Sequence, residues 1–278
     1  MMVVIALLTV IVIGLYAMFN QTQRALISTT TQVDVLEPGR AALDLISREL
    51  EQMSPAGYVA PNYAATNLLL TYANTYETEQ PLVDGTSRTN VLEDCYFLVR
   101  SNHWWIGDGF FVASATNGAL NQTETSQIGV GTLFRFSPTN VVPVRQLTPL
   151  YLADMGRAFV QAKTNVQMAF PVIDGVVHFR VRPLDSTGRL ITYSQTTNIL
   201  LNLVYLKNSP GGLWERTYSF RNNALPAYLD LELGVLEPHV MTKANVLPNA
   251  ATQKKYIEQQ AGAVHLFHKL IPIRIAQP

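Results

Sequence analysis

The stretch MMVVIALLTVIVIGLYAMF, residues 1–19, decides the fold that the sequence predicts, because it contains no charged side chain. The first charged residue of the chain is Arg24. A helix needs about 20 apolar residues to cross the hydrocarbon core of a bilayer. A cleaved signal peptide would instead show a basic segment ahead of a shorter apolar core. The run therefore predicts a membrane-inserted helix over residues 1–24.

The apolar residues of the next stretch, residues 25–53, recur at the spacing of an amphipathic helix. We expect five of them to dock the helix onto the rest of the protein: Leu36, Leu43, Ile46, Leu50 and Met53. Pro38 and Gly39 interrupt the pattern, and an interior proline removes a backbone hydrogen bond and clashes with the preceding turn. The sequence thus predicts one long helix ending at Met53, with a kink or a short unwound segment at Pro38 and Gly39.

From residue 54 to residue 278 the pattern changes to short apolar runs separated by polar turn segments, which is typical of strands. In the clearest run Val177, Phe179 and Val181 alternate with His178, Arg180 and Arg182, as expected for a strand with one buried face. The segment PLYLADM (149–155) is interpreted as a further strand. The sequence predicts a β-rich globular domain over residues 54–278, with insertions near 198–222 and 239–264.

Composition excludes several classes of protein. The chain has 20 basic and 20 acidic residues, so it lacks the positive surface that nucleic-acid binding requires. Only 14% of the residues are charged, well below the roughly 25% of soluble domains. A single cysteine, Cys95, rules out an intrachain disulfide framework and any CxxC motif.

The sequence contains no arrangement that predicts catalysis. Nucleophile-elbow, P-loop and HExxH motifs are absent. His265 and His268 are three residues apart and would point in opposite directions in a strand, with no third ligand at a recognisable spacing. The aromatic cluster at 103–111 could stack on a sugar, although aromatic residues in hairpins more often form core contacts. We expect no enzyme activity, no catalytic residue, no metal and no cofactor.

An apolar half-helix joined to an amphipathic half-helix ahead of a β-rich body resembles the type IV pilin and pseudopilin superfamily. The residues that carry the resemblance are the apolar run 1–19, QTQRALISTTTQVDVL (21–36) and GRAALDLISRELEQM (39–53). In the body, PVIDGVVHFRVRPLDSTGRLITY (171–193) and ALPAYLDLELGVLEP (224–238) are similar to the J-class minor pseudopilins of type II secretion systems. Minor pilins of the W type share these features more loosely.

The resemblance implies an α+β, pilin-like fold in which a long N-terminal helix, half in the membrane and half amphipathic, packs on a predominantly antiparallel sheet. It implies a structural minor pseudopilin in the bacterial inner membrane, single-pass, with its globular domain in the periplasm. The N-terminal helix would assemble it near the tip of a pseudopilus. The expected partners are other minor pseudopilins, the major pseudopilin, the inner-membrane assembly platform and membrane lipid, but no nucleic acid.

The contact face of that helix is expected to include Met1, Val4, Leu8, Ile11, Gly14, Leu15 and Phe19. Small residues such as Gly14 allow neighbouring helices to approach closely. Members of the superfamily carry a short basic leader and an acidic residue just ahead of such a run, a region that would precede Met1, and they are methylated after processing. Two other functions stay open: a minor pilin of a type IV pilus for adhesion or motility, and a membrane-tethered carbohydrate-binding or hydrolytic envelope protein.

Overall fold

A computed structural model describes residues 2–57, 59, 65–72, 77–82, 84–116, 118–138, 142–143, 146–192, 202–208 and 216–274. The helices of these residues are α1 (Met2–Leu50), α2 (Gln122–Ile128), α3 (Pro149–Ala162), α4 (Pro238–Asn245) and α5 (Ala250–Glu258). The strands are β1 (Thr66–Tyr72), β2 (Glu77–Pro81), β3 (Ser87–Val91), β4 (Asp94–Ser101), β5 (Trp104–Thr116), β6 (Ala119–Asn121), β7 (Gly131–Phe136), β8 (Val142–Pro143), β9 (Ala169–Leu184), β10 (Asn202–Asn208), β11 (Arg216–Asn222), β12 (Tyr228–Leu236) and β13 (Val264–Pro272). Short 3-10 turns at Val166–Met168 and Ala261–Ala263 precede β9 and β13.

One large sheet forms the body. Its strands lie in the order β10-β11-β1-β4-β5-β7-β9-β12-β13, with β6 and β8 paired to β5, and β2 and β3 form a separate hairpin. Each of these strand pairs is antiparallel. The sheet curves into a half-barrel, and helices pack on both of its faces. The segment read as an insertion at 198–222 therefore supplies β10 and β11, two strands of the sheet itself.

Strand β9 changes partners halfway along its 16 residues, and this change curves the sheet. Its first half pairs with β7 and its second half with β12. Gly175, with φ of 75°, lies at the change, where a left-handed backbone favours glycine. Beyond Gly175, β7 no longer pairs with β9, and Glu93 forms hydrogen bonds with backbone groups on that edge of β9 instead. Its N–H donates to Phe179 O at 2.9 Å, and its Oε2 accepts from Val181 N at 2.6 Å.

The C-terminal part of α1 packs on one face of the half-barrel. Val35, Ala42, Leu43, Ile46 and Leu50 are buried in a cluster with side chains of β9, β12 and β13, including Phe179, Leu231 and Phe267. Full burial of such an aliphatic side chain contributes about 1.5–3 kcal/mol. At the rim, Lys269 Nζ lies 2.7 Å from Asp44 Oδ1, an exposed ion pair of small energetic weight.

The segment interpreted as a strand at 149–155 is helical instead, because its buried residues follow the period of a helix. Leu152, Met155, Phe159 and Ala162 face the other side of the sheet and pack against its aromatic residues. Thr148 caps the helix by accepting from Tyr151 N, and Pro149 takes the first-turn position where no backbone donor is lost. The short apolar run had favoured the strand interpretation, with Pro149 limiting it to a sheet edge or a strand end.

The predicted fold class is corrected to a mostly antiparallel β half-barrel with short helices, to which α1 is attached through its C-terminal part. The predicted transmembrane helix and the single-pass inner-membrane location are wrong. Within the residues that the structure describes, no helix combines the length and the apolar character that a bilayer crossing requires.

Helix α1 continues through Pro38 and Gly39 without an unwound segment. The two residues lie on different sides of the helix: Pro38 is exposed, whereas Gly39 is buried against β13. A Cβ atom on Gly39 would lie 2.2 Å from Cζ of Phe267, so this glycine lets the phenylalanine ring rest on the helix backbone. The proline ring lies on the exposed side, so it does not disturb the contact between α1 and the sheet.

Replacing Gly39 by alanine should therefore destabilise the protein, even though alanine is the better helix former by about 1 kcal/mol. Displacing a buried ring typically costs about 1–3 kcal/mol, so after this gain we expect a net loss of up to roughly 2 kcal/mol in urea unfolding. Gly14→Ala is the matched control, because nothing lies within 4 Å of its added methyl group and no loss is expected. A Gly39→Ala protein as stable as the Gly14→Ala protein would contradict this packing.

Candidate assembly surface

Between residues 8 and 19, the described side chains of α1 are mostly apolar and are exposed on all sides of the helix. Every side chain described between residues 8 and 23 is exposed. Eight of them are large and apolar, each between 53% and 70% exposed: Leu8, Ile11, Val12, Ile13, Leu15, Tyr16, Met18 and Phe19. A helix that is apolar all round is normally buried, and a continuous apolar surface of this kind marks an interaction site. We call residues 8–19 the apolar rod.

The structure places most of the predicted contact residues on this rod. Leu8, Ile11, Gly14, Leu15 and Phe19 are exposed, and nothing lies within 4 Å of the position that a Cβ on Gly14 would take. Met1 and the side chain of Val4 lie outside the described residues. The rod thus has a smooth face at Gly14 and Ala17, where another helix could approach closely.

Four of the predicted docking residues lie on the C-terminal half of α1, and Met53 follows three residues after its end. Leu43, Ile46, Leu50 and Met53 are buried, and Leu36 is partly buried against the same cluster. The sequence interpretation missed Val35, Gly39 and Ala42, which are buried on the same stripe. Their spacing of four and three residues, continuing to Ile46, was a usable signal, but small residues carry little weight in an apolar pattern.

A groove runs beside the docked half of α1. It has a volume of about 640 Å³. We call it the α1 groove; its lining residues are Pro38, Ala41, Ala42, Leu45 and Glu49 of α1 with Arg135, Phe170, Pro171 and Val172 of β7 and β9. Leu45 and Phe170 are 38% and 56% exposed on its walls. The groove is therefore open to solvent, largely apolar, and parallel to the helix that carries the apolar rod.

Charged groups close one end of the α1 groove. Arg135 Nε lies 2.6 Å from Glu49 Oε1, and Asp108 is a neighbour in the same cluster. Burial raises the pKa of Glu49 against the opposing effect of Arg135, and burial likewise raises the pKa of Asp108. Glu49 Oε2 and Asp108 Oδ1 are buried without a hydrogen-bond partner among the described residues. Two acidic groups facing one arginine leave this end with spare acceptors.

A second polar cluster lies on the outer face of β9, β12 and β13. Asp230, Glu232 and His268 bring three ligand-type atoms within 4.8 Å of one another, the arrangement that a metal ion could use. Arg182 Nη2 nevertheless donates to Asp230 Oδ2 at 2.6 Å and to Glu232 Oε1 at 2.5 Å. His268 contacts the remaining oxygen of Asp230.

The remaining oxygen of Glu232 faces His178. His178 Nδ1 accepts a hydrogen bond from Val91 N at 3.0 Å, so the ring proton lies on Nε2, which donates to Glu232 Oε2 at 3.2 Å. Burial lowers the pKa of His178, and the His178 hydrogen bond holds the pKa of Glu232 below its usual value. All four carboxylate oxygens are thus engaged by protein donors or ring nitrogens, and the cluster fits a structural ion-pair network better than a metal site.

This network escaped the sequence interpretation, although its signal was visible. Arg180 and Arg182 alternate on the polar face of β9, and Asp230 and Glu232 alternate on the polar face of β12. The register places Asp230 opposite Arg182 and Glu232 opposite Arg180. Opposite charges at the same period predict pairing only once the two strands are known to be neighbours.

The aromatic cluster at 103–111 is mostly core. Trp105, Phe110 and Phe111 are buried, and Arg100 lies 5.9 Å from the centre of the Trp105 ring. Trp104 is 44% exposed at the end of β5. A sugar-stacking platform normally offers a broader aromatic surface than one half-exposed ring.

No protein-family model matches the chain, and neither a characterised protein nor a solved structure is similar enough to count as a match. The apolar rod and the α1 groove are therefore the features from which a function can be inferred.

Proposed function

We propose that the protein is a structural subunit that assembles with other helical subunits through its apolar rod. One observation carries the proposal. Between residues 8 and 19, α1 has no charged group, and its described side chains are exposed on all sides of the helix. Burying each of its large side chains would contribute about 1.5–3 kcal/mol. Such a surface gains most from a bundle of similar helices, where Gly14 and Ala17 permit close packing.

The two halves of α1 have separate partners under this proposal. The C-terminal half already packs on the half-barrel through its buried stripe from Val35 to Leu50. Every side chain that the structure describes between residues 8 and 23 is exposed, so this part of α1 is accessible to other subunits. A helix that is packed on a globular body at its C-terminal end and exposes apolar side chains at its N-terminal end suits a subunit that polymerises around a core of helices.

The finer assignment, a minor pseudopilin of a type II secretion-type filament, stays a prediction. It rests on the resemblance of residues 1–53, 171–193 and 224–238 to that family. Under it, the partners are the other minor pseudopilins, the major pseudopilin and an assembly platform. A type IV pilus subunit would use the same helix, and neighbouring genes for a secretin and a secretion ATPase, rather than for pilus retraction, would favour the first assignment.

Adding charge to the apolar rod tests the proposal directly. The Ile11→Lys/Leu15→Lys protein should associate at least 100-fold more weakly than the unmodified chain in sedimentation velocity, because two lysines buried without partners cost several kcal/mol. Val246→Lys, which adds one charge at an exposed position of the body, should associate normally. An unmodified chain that stays monomeric, or a double-lysine protein that associates as well as the unmodified chain, would contradict the proposal.

A further inference from the structure

We propose that the free edge of β13 pairs with β13 of a second copy, antiparallel and about a two-fold axis at His268. The surface belongs to the globular body, so the inference goes beyond the proposed function and does not depend on the apolar rod. Strand β13 ends the large sheet, and among the described residues no strand pairs with its outer edge. An uncovered sheet edge is a template on which another strand can add.

The pairing of β13 with β12 shows which backbone groups of β13 face the free edge. Glu237 N donates to Ala263 O and Ile273 N donates to Ala227 O, both at 3.0 Å, at the two ends of the β12–β13 register. In an antiparallel pair, hydrogen-bonded residue pairs alternate with pairs that are not hydrogen-bonded. The odd-numbered residues of β13 are therefore bonded to β12, and the backbone groups of the even-numbered residues point outward.

Three residues supply the N–H donors of this free edge. Leu266, His268 and Leu270 each direct one N–H and one C=O outward, and among the described residues none of these groups has a backbone partner. On one side, Val264 N already donates within the preceding 3-10 turn. On the other side, Pro272 has no N–H to donate. The free edge is thus bounded at both ends, and His268 lies at its centre.

The free edge is complementary to itself, and this is why we infer a second copy as its occupant. In antiparallel pairing about His268, that residue lies opposite its own copy, and Leu266 lies opposite Leu270 of the second copy. All the outward N–H and C=O groups of these three residues then find partners. Centring the pairing on residue 267 leaves the C=O of Leu270 unpaired, because Val264 N is already engaged. Centring it on residue 269 leaves the C=O of Leu266 opposite Pro272, which has no donor.

The side chains of the outer face fit the same register. Leu266 and Leu270 are 53% and 51% exposed, and they lie on the same face of β13 as His268. The pairing brings Leu266 of each copy against Leu270 of the other, on both sides of the axis, as apolar cross-strand pairs. Asp230 of the same chain engages His268, so the centre of the contact carries no charge without a partner.

Strand β13 lacks the features that usually prevent edge pairing, which are short length, a bulge or an outward lysine. It is nine residues long, and its register with β12 is unbroken throughout. Its lysine, Lys269, lies on the other face, where Nζ is 2.7 Å from Asp44 Oδ1. Helix α1 also contacts that face, through Phe267. The contact about the two-fold axis uses the same patch on both copies, so it closes as a dimer and does not propagate.

Disulfide trapping in the full-length Ile11→Lys/Leu15→Lys protein tests the pairing, because the added charges weaken association through the apolar rod. Under mild oxidation, the further change His268→Cys should give a disulfide-linked homodimer at least about ten-fold faster than Leu266→Cys or Leu270→Cys. Opposed hydrogen-bonded residues have Cα atoms about 5.5 Å apart, which suits a disulfide, whereas each leucine lies roughly 14 Å from its own copy. Mixing the Leu266→Cys and Leu270→Cys proteins should restore fast linking.

Charge reversal on the outer face gives a matched control in the His268→Cys protein. Leu266→Lys/Leu270→Lys places like charges opposite each other on both sides of the axis and should slow linking at least about ten-fold. Leu266→Lys/Leu270→Asp places opposite charges there and should link faster than the protein with two lysines at these positions. The native Cys95 is fully buried and unavailable for cross-linking.

The results decide between this contact and other uses of the edge. Equal linking at all three cysteine positions would overturn the register. A protein in which neither His268→Cys nor the mixture links would overturn pairing with a second copy and leave the edge to a strand of another protein. Because the rod already carries two lysines in these variants, either result leaves the proposed assembly through the rod untouched.

Discussion

Replacing Ile46 by aspartate should detach α1 from the half-barrel and lower the free energy of unfolding by more than about 4 kcal/mol. Ile46 is fully buried between α1 and the sheet, in the cluster that contains Phe179 and Phe267. The substitution removes the apolar contacts and places a carboxylate where no donor is available. Urea unfolding and limited proteolysis should both show a protein that is largely unfolded, with cleavage in α1.

The neighbouring substitution Leu45→Asp is the matched control. Leu45 is one residue away but lies on the wall of the α1 groove, 38% exposed. Its replacement should cost about 1 kcal/mol, the typical effect of a point substitution and far less than that of Ile46→Asp. If Ile46→Asp and Leu45→Asp unfolded at the same urea concentration, the packing of α1 on the sheet would be wrong.

The buried carboxyl of Glu93 should make stability fall as the pH rises from about 5 to 7. Burial raises the pKa of Glu93 from its usual 4.5 to about 7, against the opposing effects of the hydrogen bond from Val181 N and of Arg180. The folded state therefore binds the proton more tightly than the unfolded chain. Its contribution is fully present below pH 4.5 and is lost as the pH passes the folded value, about 3 kcal/mol in all.

Glu93→Gln isolates this effect, because the amide keeps an acceptor for Val181 N but does not titrate. The difference in unfolding free energy between the two proteins, measured from pH 4.5 to 8, should change by about 3 kcal/mol and level off above pH 7. The pKa of His178 is lowered by burial, so its contribution has the opposite sign, rising with pH toward its usual 6.5. Because His178 is present in both proteins it cancels, and a flat difference curve would show that Glu93 is not the titrating group.

The features that follow from local periodicity could be predicted. The buried stripe of α1 from Leu36 to Leu50 recurs at steps of three, four and seven residues, and the alternation of Val177, Phe179 and Val181 identifies one face of β9. These patterns depend only on which side of an element is apolar. They identify elements and buried faces without reference to any neighbour.

The features that depend on distant segments could not be predicted. The antiparallel pairing of β1 with β11 joins residues about 150 positions apart, and a segment interpreted as an insertion supplied the strand. The hydrogen bonds between Glu93 and the edge of β9 leave no signal in the sequence, because an isolated acidic residue usually indicates a solvent-exposed position. The α1 groove likewise exists only after Phe170 and Arg135 have been brought beside the helix.

The attachment of α1 has a mechanical consequence. After the helix, Met53 pairs with Val99 and Ser54 N donates to Leu98 O at 3.0 Å, so β4 holds the chain where it leaves α1. Tension along the axis of α1 would load the packed stripe in shear rather than peeling it from one end. Many contacts would then have to break at once, and a pull on one end would be delivered to the middle of the sheet.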